Sequence, residues 1–183
     1  YTYSSTAAVG PDGWSGSATG AGVFKLRTLA DPDDVTLRCL EITCTTADAS
    51  LAATDNYFIY TMVEGYDAAP LHAGLATAKT IAIQFKFKTT AIGVYGVSIA
   101  NSATNRSYVG TITVADTNEN AYLVTLTLDT AGTWLYTNGV GLYLRLSLAA
   151  GSNFCTTAGS WGANNMFSQT ASQATFMALN THT

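Results

Sequence analysis

Hydrophobic and polar residues alternate with a period of two over much of the chain. The segment KTIAIQFKFK at residues 79–88 shows this best, with Ile or Phe at every second position from Ile81 to Phe87. Such alternation is typical of a half-buried strand that turns one face to the core. It recurs at residues 122–128 and 140–148, and a strand is predicted at each place.

Shorter segments of the same kind extend the prediction to about nine strands, bounded by clusters of Gly, Asn, Asp and Pro. In VTLRCLEITC at residues 35–44, the alternation changes phase, which predicts a β-bulge near Cys39. The remaining strands are predicted near residues 22–29, 57–64, 92–100, 107–115 and 172–179.

Helical periodicity is not sustained anywhere in the sequence, and the best candidate is the Ala-rich stretch from Ala68 to Ala78, with two or three turns at most. Many short strands without intervening helices predict an all-β fold with very little helix: an antiparallel, jelly-roll-like β-sandwich. Residues 1–20, rich in Ser, Gly and Ala, are predicted to form a loosely ordered N-terminal arm, and residues 21–183 a single β-sandwich domain.

The composition suggests how such a domain meets its surroundings. Charged residues make up 11% of the 183 residues and hydrophobic residues 48%, while 29 are threonine. A typical soluble domain has about 25% charged residues. A neutral, hydroxyl-rich exterior is poorly protected against self-association, so the composition favours a subunit that packs against identical or sibling subunits.

The charge balance argues against two classes of partner. The net charge is −4, and only eight Lys and Arg residues are scattered along the chain. A nucleic-acid groove or an anionic-membrane surface needs clustered positive charge. No apolar run approaches the roughly 20 residues that span a bilayer. We therefore expect neither nucleic-acid binding nor membrane insertion.

Metal and cofactor sites are not expected. Cys39, Cys44 and Cys155 have neither disulfide-framework nor zinc spacing, and we expect small buried side chains, with a free or intermolecular thiol as the alternative. A weak calcium candidate is the acidic turn in ADPDDV, formed by Asp31, Asp33 and Asp34. It lacks EF-hand spacing, so a solvated turn is favoured.

Catalysis is also not expected. His72 and His182 are the two histidines, and no Ser or Cys lies in a nucleophile motif. A glycosidase would need two carboxylates within roughly 5–10 Å of each other. The candidates for such a pair are Asp55, Glu64 and Asp67.

Several segments resemble a module of bacteriophage tail-fibre and other virion proteins. They are NSATNRSYVGTITV (101–114), DTAGTWLYTNGVGLYLRLSLAAGSNF (129–154) and GSWGANN (159–165), preceded by FIYTMVEGYDAAPL (58–71) and AKTIAIQFKFKTT (78–90). The resemblance covers about residues 55–179. It implies a carbohydrate-binding-module-like β-sandwich in a phage structural protein, often within a trimeric fibre or a surface decoration. The implied location is the virion, after synthesis in the cytoplasm of the bacterial host.

Two departures from that family pattern stand out. Family members often carry Trp near the positions of Lys86 and Glu119, so we expect a different surface there. The family also usually closes with a further strand, which the chain does not show before Thr183. We therefore expect an open sheet edge, covered by a partner subunit or by residues beyond this sequence.

Two groups of residues are candidate sites. Aromatic rings can stack on sugars while Asn and Asp read the hydroxyl groups, although core packing is the more frequent role of such rings. The glycan-binding candidates are Tyr66, Asp67, Trp134, Tyr136, Asn138 and Trp161. The second group could bind a ligand but is favoured as a structural loop anchor, and it comprises Asn101, Asn105, Arg106 and Tyr108.

Together, the residues and the resemblance predict a non-enzymatic virion structural protein, a tail-fibre or surface-decoration subunit. It would self-assemble as a homotrimer, contact other virion proteins and bind a host-surface polysaccharide. The outward positions Thr125 and Thr127 are expected at the interface between subunits. The alternatives are a capsid decoration or cement protein, and a stand-alone carbohydrate-binding module of a larger polysaccharide-acting protein.

Overall fold

A computed structural model describes residues 2–3, 8–31, 35–169 and 176–178. Within these ranges the chain forms mainly strands, with one four-residue α-helix, α1 (Gly65–Ala68), and four short 3₁₀ turns. The strands are β1 (Thr2–Tyr3), β2 (Ala8–Val9), β3 (Trp14–Thr19), β4 (Val23–Ala30), β5 (Arg38–Thr46), β6 (Asn56–Glu64), β7 (Thr80–Phe87), β8 (Gly93–Asn101), β9 (Arg106–Val114), β10 (Asn120–Thr127), β11 (Val140–Ala150), β12 (Cys155–Thr156), β13 (Trp161–Ala163) and β14 (Ser168–Gln169). The all-β prediction is confirmed.

The strands from β6 to β11 form one long hairpin that folds over itself. β6 pairs with β11, β7 with β10 and β8 with β9, all antiparallel, so the pairs are nested. The outer and inner pairs lie in a seven-stranded sheet of order β13-β9-β8-β11-β6-β3-β2, while β7 and β10 form a separate two-stranded sheet. Nested pairs that alternate between sheets are the jelly-roll arrangement.

The core lies between the seven-stranded sheet and two smaller sheets. One is the β7–β10 pair, and the other is the sheet of order β1-β4-β5. Tyr95 on β8 shows the packing, since its ring is 1% exposed and meets the edge of Phe87 on β7 at 5.3 Å between centroids. Phe24 and Leu26 on β4 are fully buried in the same core cluster. Burial of these side chains is the main stabilising term.

The other face of the seven-stranded sheet is covered in part, by residues around Phe154 and Phe167. The ring of Phe167 lies 4.7 Å from that of Phe58 and 5.0 Å from that of Phe154. A Cβ at Gly96 would lie 2.4 Å from the carbonyl oxygen of Phe167, so only glycine permits this approach. Because both faces are buried, Tyr95–Asn101 on β8 are buried without alternation.

The predicted strands that the structure describes agree with the observed ones to within a few residues, but the predicted bulge is wrong. Cys39 pairs regularly with Leu29, and the change of register falls between Val23 and Phe24, which pair with Thr46 and Cys44. The phase change in the sequence has another origin. Val35 and Leu37 precede β5 and are 78% and 55% exposed, so they never belonged to its apolar face.

The N-terminal and C-terminal predictions need correction. Trp14–Thr19 form β3, which pairs with β6 inside the seven-stranded sheet, so this part of the predicted arm is integrated in the fold. Phe176–Ala178 form a 3₁₀ turn, which replaces a strand at those positions. The rest of the strand predicted at 172–179 lies outside the described residues.

The Ala-rich stretch contains only a short helical segment at its start, within the predicted limit of two or three turns. After α1, Ala69–Leu71 form a 3₁₀ turn, and His72 adopts a left-handed conformation with φ of 58°. Pro70 supplies no amide hydrogen, and the left-handed residue ends the helix. Of the three cysteines, only Cys44 is buried, while Cys39 and Cys155 are half-buried.

Candidate functional site

Most of the site residues predicted from sequence meet at one end of the sandwich. There the turn between β8 and β9, the loop between β10 and β11, the segment from α1 to Gly74 and strand β13 come together. The side chains that connect them, called here the loop-end cluster, are Asn101, Asn105, Arg106, Tyr108, Asp129, Trp134 and Trp161. Apart from Asp129, the sequence placed these residues in two separate groups, and the structure joins them into one.

Asn101 holds the β8–β9 turn together. Its side chain is fully buried and its Nδ2 donates to the Asn105 side-chain oxygen at 2.7 Å and to the Thr133 carbonyl at 3.0 Å. Its Oδ1 accepts from the backbone amides of Asn105 and Arg106, each at 3.1 Å. All the hydrogen-bonding capacity of this amide is therefore used inside the protein.

Arg106 and Asp129 join that turn to the β10–β11 loop. The Nε of Arg106 donates to Asp129 Oδ2 at 2.6 Å, and the carboxylate raises the pKa of the guanidinium above its ordinary value. The other carboxylate oxygen accepts from the amide of Ala131 at 3.0 Å. Gly132 lies against the arginine stem with φ of +82°, and a Cβ there would be 2.6 Å from Arg106 Cγ. This contact uses one of the five N–H donors of Arg106, whose side chain is 23% exposed.

The aromatic residues pack on one another and use their polar atoms internally. The Trp161 ring lies 5.6 Å from Tyr108 and 5.5 Å from Trp134, the latter at an interplanar angle of 84°. Trp161 Nε1 donates to the Thr127 carbonyl at 2.8 Å, and Trp134 Nε1 donates to the Ala131 carbonyl at 3.0 Å. The Tyr136 hydroxyl donates to the Ala73 carbonyl. These rings stabilise the loops.

The other three glycan candidates lie at the surface of the same end. Tyr66 is 62% exposed, and Asp67 and Asn138 are also exposed. The two segments that carry them touch, because the amide of Gly65 donates to the Gly139 carbonyl at 2.8 Å. Of the six candidates, these three are exposed, whereas Tyr136 and Trp161 are half-buried and Trp134 is buried.

A second candidate site is the outward side of the β7–β10 pair, called here the outer face. Its eight positions pair across the strands and are all exposed. They comprise three threonines, two alanines, Leu123, Gln84 and Lys86. Lys86 is paired with Glu119 at 2.7 Å, so the one charge on the outer face is matched. The eight positions are Thr80, Ala82, Gln84, Lys86, Ala121, Leu123, Thr125 and Thr127.

A cleft of about 300 Å³ lies beside the outer face, between β5 and β7. In the described part of the chain, each of these two strands pairs with a single neighbour, so their facing edges do not bond to each other. The apolar part of the lining includes Leu40, Phe87 and Phe176. The positions of Lys86 and Glu119, which depart from the family pattern, lie on its rim.

The described ranges contain no group of three or more His, Cys, Asp or Glu side chains able to hold a metal ion. Asp31 is half-buried, while Asp33, Asp34 and His182 lie outside the described residues. Asp55 precedes the nine-residue strand β6 and Glu64 is its last residue, so the extended strand separates them by about 30 Å. They cannot form a glycosidase pair.

Sequence reasoning missed Asp129, although a signal was present. The run DTAG at residues 129–132 has the composition of a turn in which the Asp side chain accepts a hydrogen bond from the backbone amide two residues ahead.

Among the described residues, no helix has the length and apolar character that a membrane span requires.

Comparisons of the chain with models of protein families, with curated proteins and with solved structures found no match.

Proposed function

We propose that this chain is a structural subunit of a bacteriophage virion, in a tail fibre or a surface decoration, and that it self-associates through the outer face. The observation that carries the self-association is the chemistry of that face: an exposed sheet surface of hydroxyl, small and apolar side chains with one matched ion pair. The virion setting is supported by the sequence resemblance alone. The proposed role is non-enzymatic.

The outer face is suited to protein contact for two physical reasons. Burial of the threonine methyl groups and of Leu123, which is 62% exposed, lowers the free energy of the associated state. The threonine hydroxyls can bond across an interface, as Thr80 and Thr127 already do within the face at 2.8 Å. Bringing such surfaces together desolvates few ions, which would otherwise oppose association.

Charged substitutions on the outer face test the self-association. Thr125→Glu and Thr127→Glu should convert a trimer to monomers, because each copy of the interface would bury an unpaired carboxylate. The matched control is Thr113→Glu, at an exposed strand threonine on β9. The measurement is the mass in solution by light scattering coupled to gel filtration, at two concentrations.

A monomeric wild-type protein would contradict self-association. If the wild type is oligomeric but both outer-face variants keep its mass, the interface lies elsewhere. A wild-type oligomer that also binds phage capsids, and not tails, would favour the capsid decoration or cement role.

A second candidate function is binding of a host-surface polysaccharide, favoured by the exposed Tyr66 beside Asp67 and Asn138. An exposed ring can stack on a sugar while the neighbouring polar groups bond its hydroxyls. Tyr66→Ala should abolish retention on an array of host polysaccharides and leave the oligomer intact. No retention of the wild type on any polysaccharide would leave the assembly role alone.

A further inference from the structure

Arg145, at the middle of β11, is a buried cation with no acidic partner in the described part of the chain. Its side chain is 3% exposed. The one hydrogen bond that it makes there runs from Nη1 to the neutral Oδ1 of Asn165, at 2.5 Å. The ion pairs of the described residues involve Arg27, Lys86 and Arg106, not Arg145. In the described part of the chain, no carboxylate therefore balances the charge of Arg145.

Aromatic rings surround this guanidinium and offer partial compensation. Its central carbon lies 5.5 Å from the centre of the Phe58 ring and 5.1 Å from that of Tyr143. Such contacts offset only part of the cost of burying an unpaired cation. Burial lowers the pKa of Arg145 to about 10, which still leaves the group charged at neutral pH.

Two serine hydroxyls share the same buried surface. Ser98 on β8 pairs directly with Arg145 across the sheet, so the two side chains lie on one face. Ser147 is two residues further along β11 and lies on that face too. Arg145 Nε, Ser98 Oγ and Ser147 Oγ are all buried, and none has a hydrogen-bond partner within the protein as described. Both serines are at most 3% exposed.

We propose that Arg145, Ser98 and Ser147 form an internal binding site for one small monovalent anion of the size of chloride. Three hydrogen-bond donors, one of them cationic, match the needs of an anion. A water molecule could accept the same hydrogen bonds but would leave the charge unbalanced. Because the rings of Phe58, Phe154 and Phe167 pack over this face, we expect a small anion to fit and a larger one such as methanesulfonate not to fit.

Thermal unfolding in two sodium salts tests the site. At matched ionic strength, the midpoint should be higher in chloride than in methanesulfonate. A tenfold rise in chloride above its dissociation constant should raise the midpoint by about 3–5 °C. Ser147→Ala removes one donor with little change in volume and should weaken the response to chloride. Arg145→Met should abolish that response.

The control variant is Arg38→Met, which removes an exposed arginine of β5 and should keep the full response to chloride. Bromide-soaked crystals provide a second readout, with an anomalous peak expected against Arg145 Nε. Equal midpoints in the two salts would overturn the proposal, as would a chloride response retained by Arg145→Met. Density for water alone at that position would also overturn it.

Discussion

The loop-end cluster and the outer face differ in what they leave available to a partner. The cluster holds the chemically conspicuous residues, yet the side-chain polar atoms of Asn101, Trp134 and Trp161 bond to nearby groups of the protein itself. The outer face holds threonine, alanine and leucine, and all of it is exposed. Residues of types suited to ligand binding can instead stabilise the fold, because long loops contain many backbone groups that need hydrogen-bond partners.

The largest effect on stability is expected from Asn101→Ala. This change removes four hydrogen bonds, among them those to the backbone amides of Asn105 and Arg106 and to the Thr133 carbonyl. The free energy of unfolding should fall by about 3 kcal/mol. Urea denaturation measures it, with the exposed Asn138→Ala as control. An equally small loss in both variants would show that the cluster does not hold the loops.

Trp161→Ala should have the next largest effect. The indole contacts two other rings and donates to the Thr127 carbonyl, but it is only half-buried, so a loss of about 2 kcal/mol is expected. Polysaccharide retention per folded molecule should be unchanged, whereas Tyr66→Ala should show the opposite pattern. If Trp161→Ala loses retention without losing stability, the ring is a binding residue and the contrast drawn above fails.

Tyr95 on β8 packs against the inner side of the β7–β10 pair, whose opposite side is the outer face. Burial raises the pKa of its hydroxyl to about 12, above the ordinary value of 10. The folded state thus resists ionisation more than the unfolded state does. The stability that depends on protonated Tyr95 is fully present below pH 10 and is lost as the pH rises towards 12.

Tyr95→Phe should therefore have a pH-dependent effect. Near pH 8 the variant should be about 1 kcal/mol less stable, because the hydroxyl donates to the Ala91 carbonyl. This deficit in stability should shrink between pH 10 and pH 12, because the buried Tyr95 hydroxyl then resists ionisation in the folded wild type, and the phenylalanine variant has no such group. Urea midpoints at pH 8 and pH 11 measure the change. A constant deficit would mean that Tyr95 does not contribute to alkaline unfolding.

Leu123→Ser should have the smallest effect on stability, within about 0.5 kcal/mol. The leucine side chain is 62% exposed, so folding of the monomer buries little of its apolar surface. Its effect on the solution mass should nevertheless be clear if the outer face is the interface, with a weaker oligomer at low concentration. A loss of stability with an unchanged solution mass would show that Leu123 stabilises the fold and does not contribute to an interface between subunits.

The strand pattern was predictable because alternation is a local property of a half-buried strand. Residues 79–88 and 122–128 identified β7 and β10, and their exposed positions define the outer face. The pattern failed where the environment differs. β3 is too rich in small residues to show alternation, and Val35 and Leu37 mimic a strand that starts only at Arg38.

The sequence by itself determined the all-β class, the positions of most strands and a surface low in charge, because these follow from periodicity and composition. Tertiary structure alone decided that Arg106 meets Asp129, 23 residues away, and that Arg145 lies opposite Ser98 beneath a covering segment. Such pairings depend on how strands cross between sheets. Pairwise contacts at long range leave no periodic signal in one chain, so no local pattern could have revealed them.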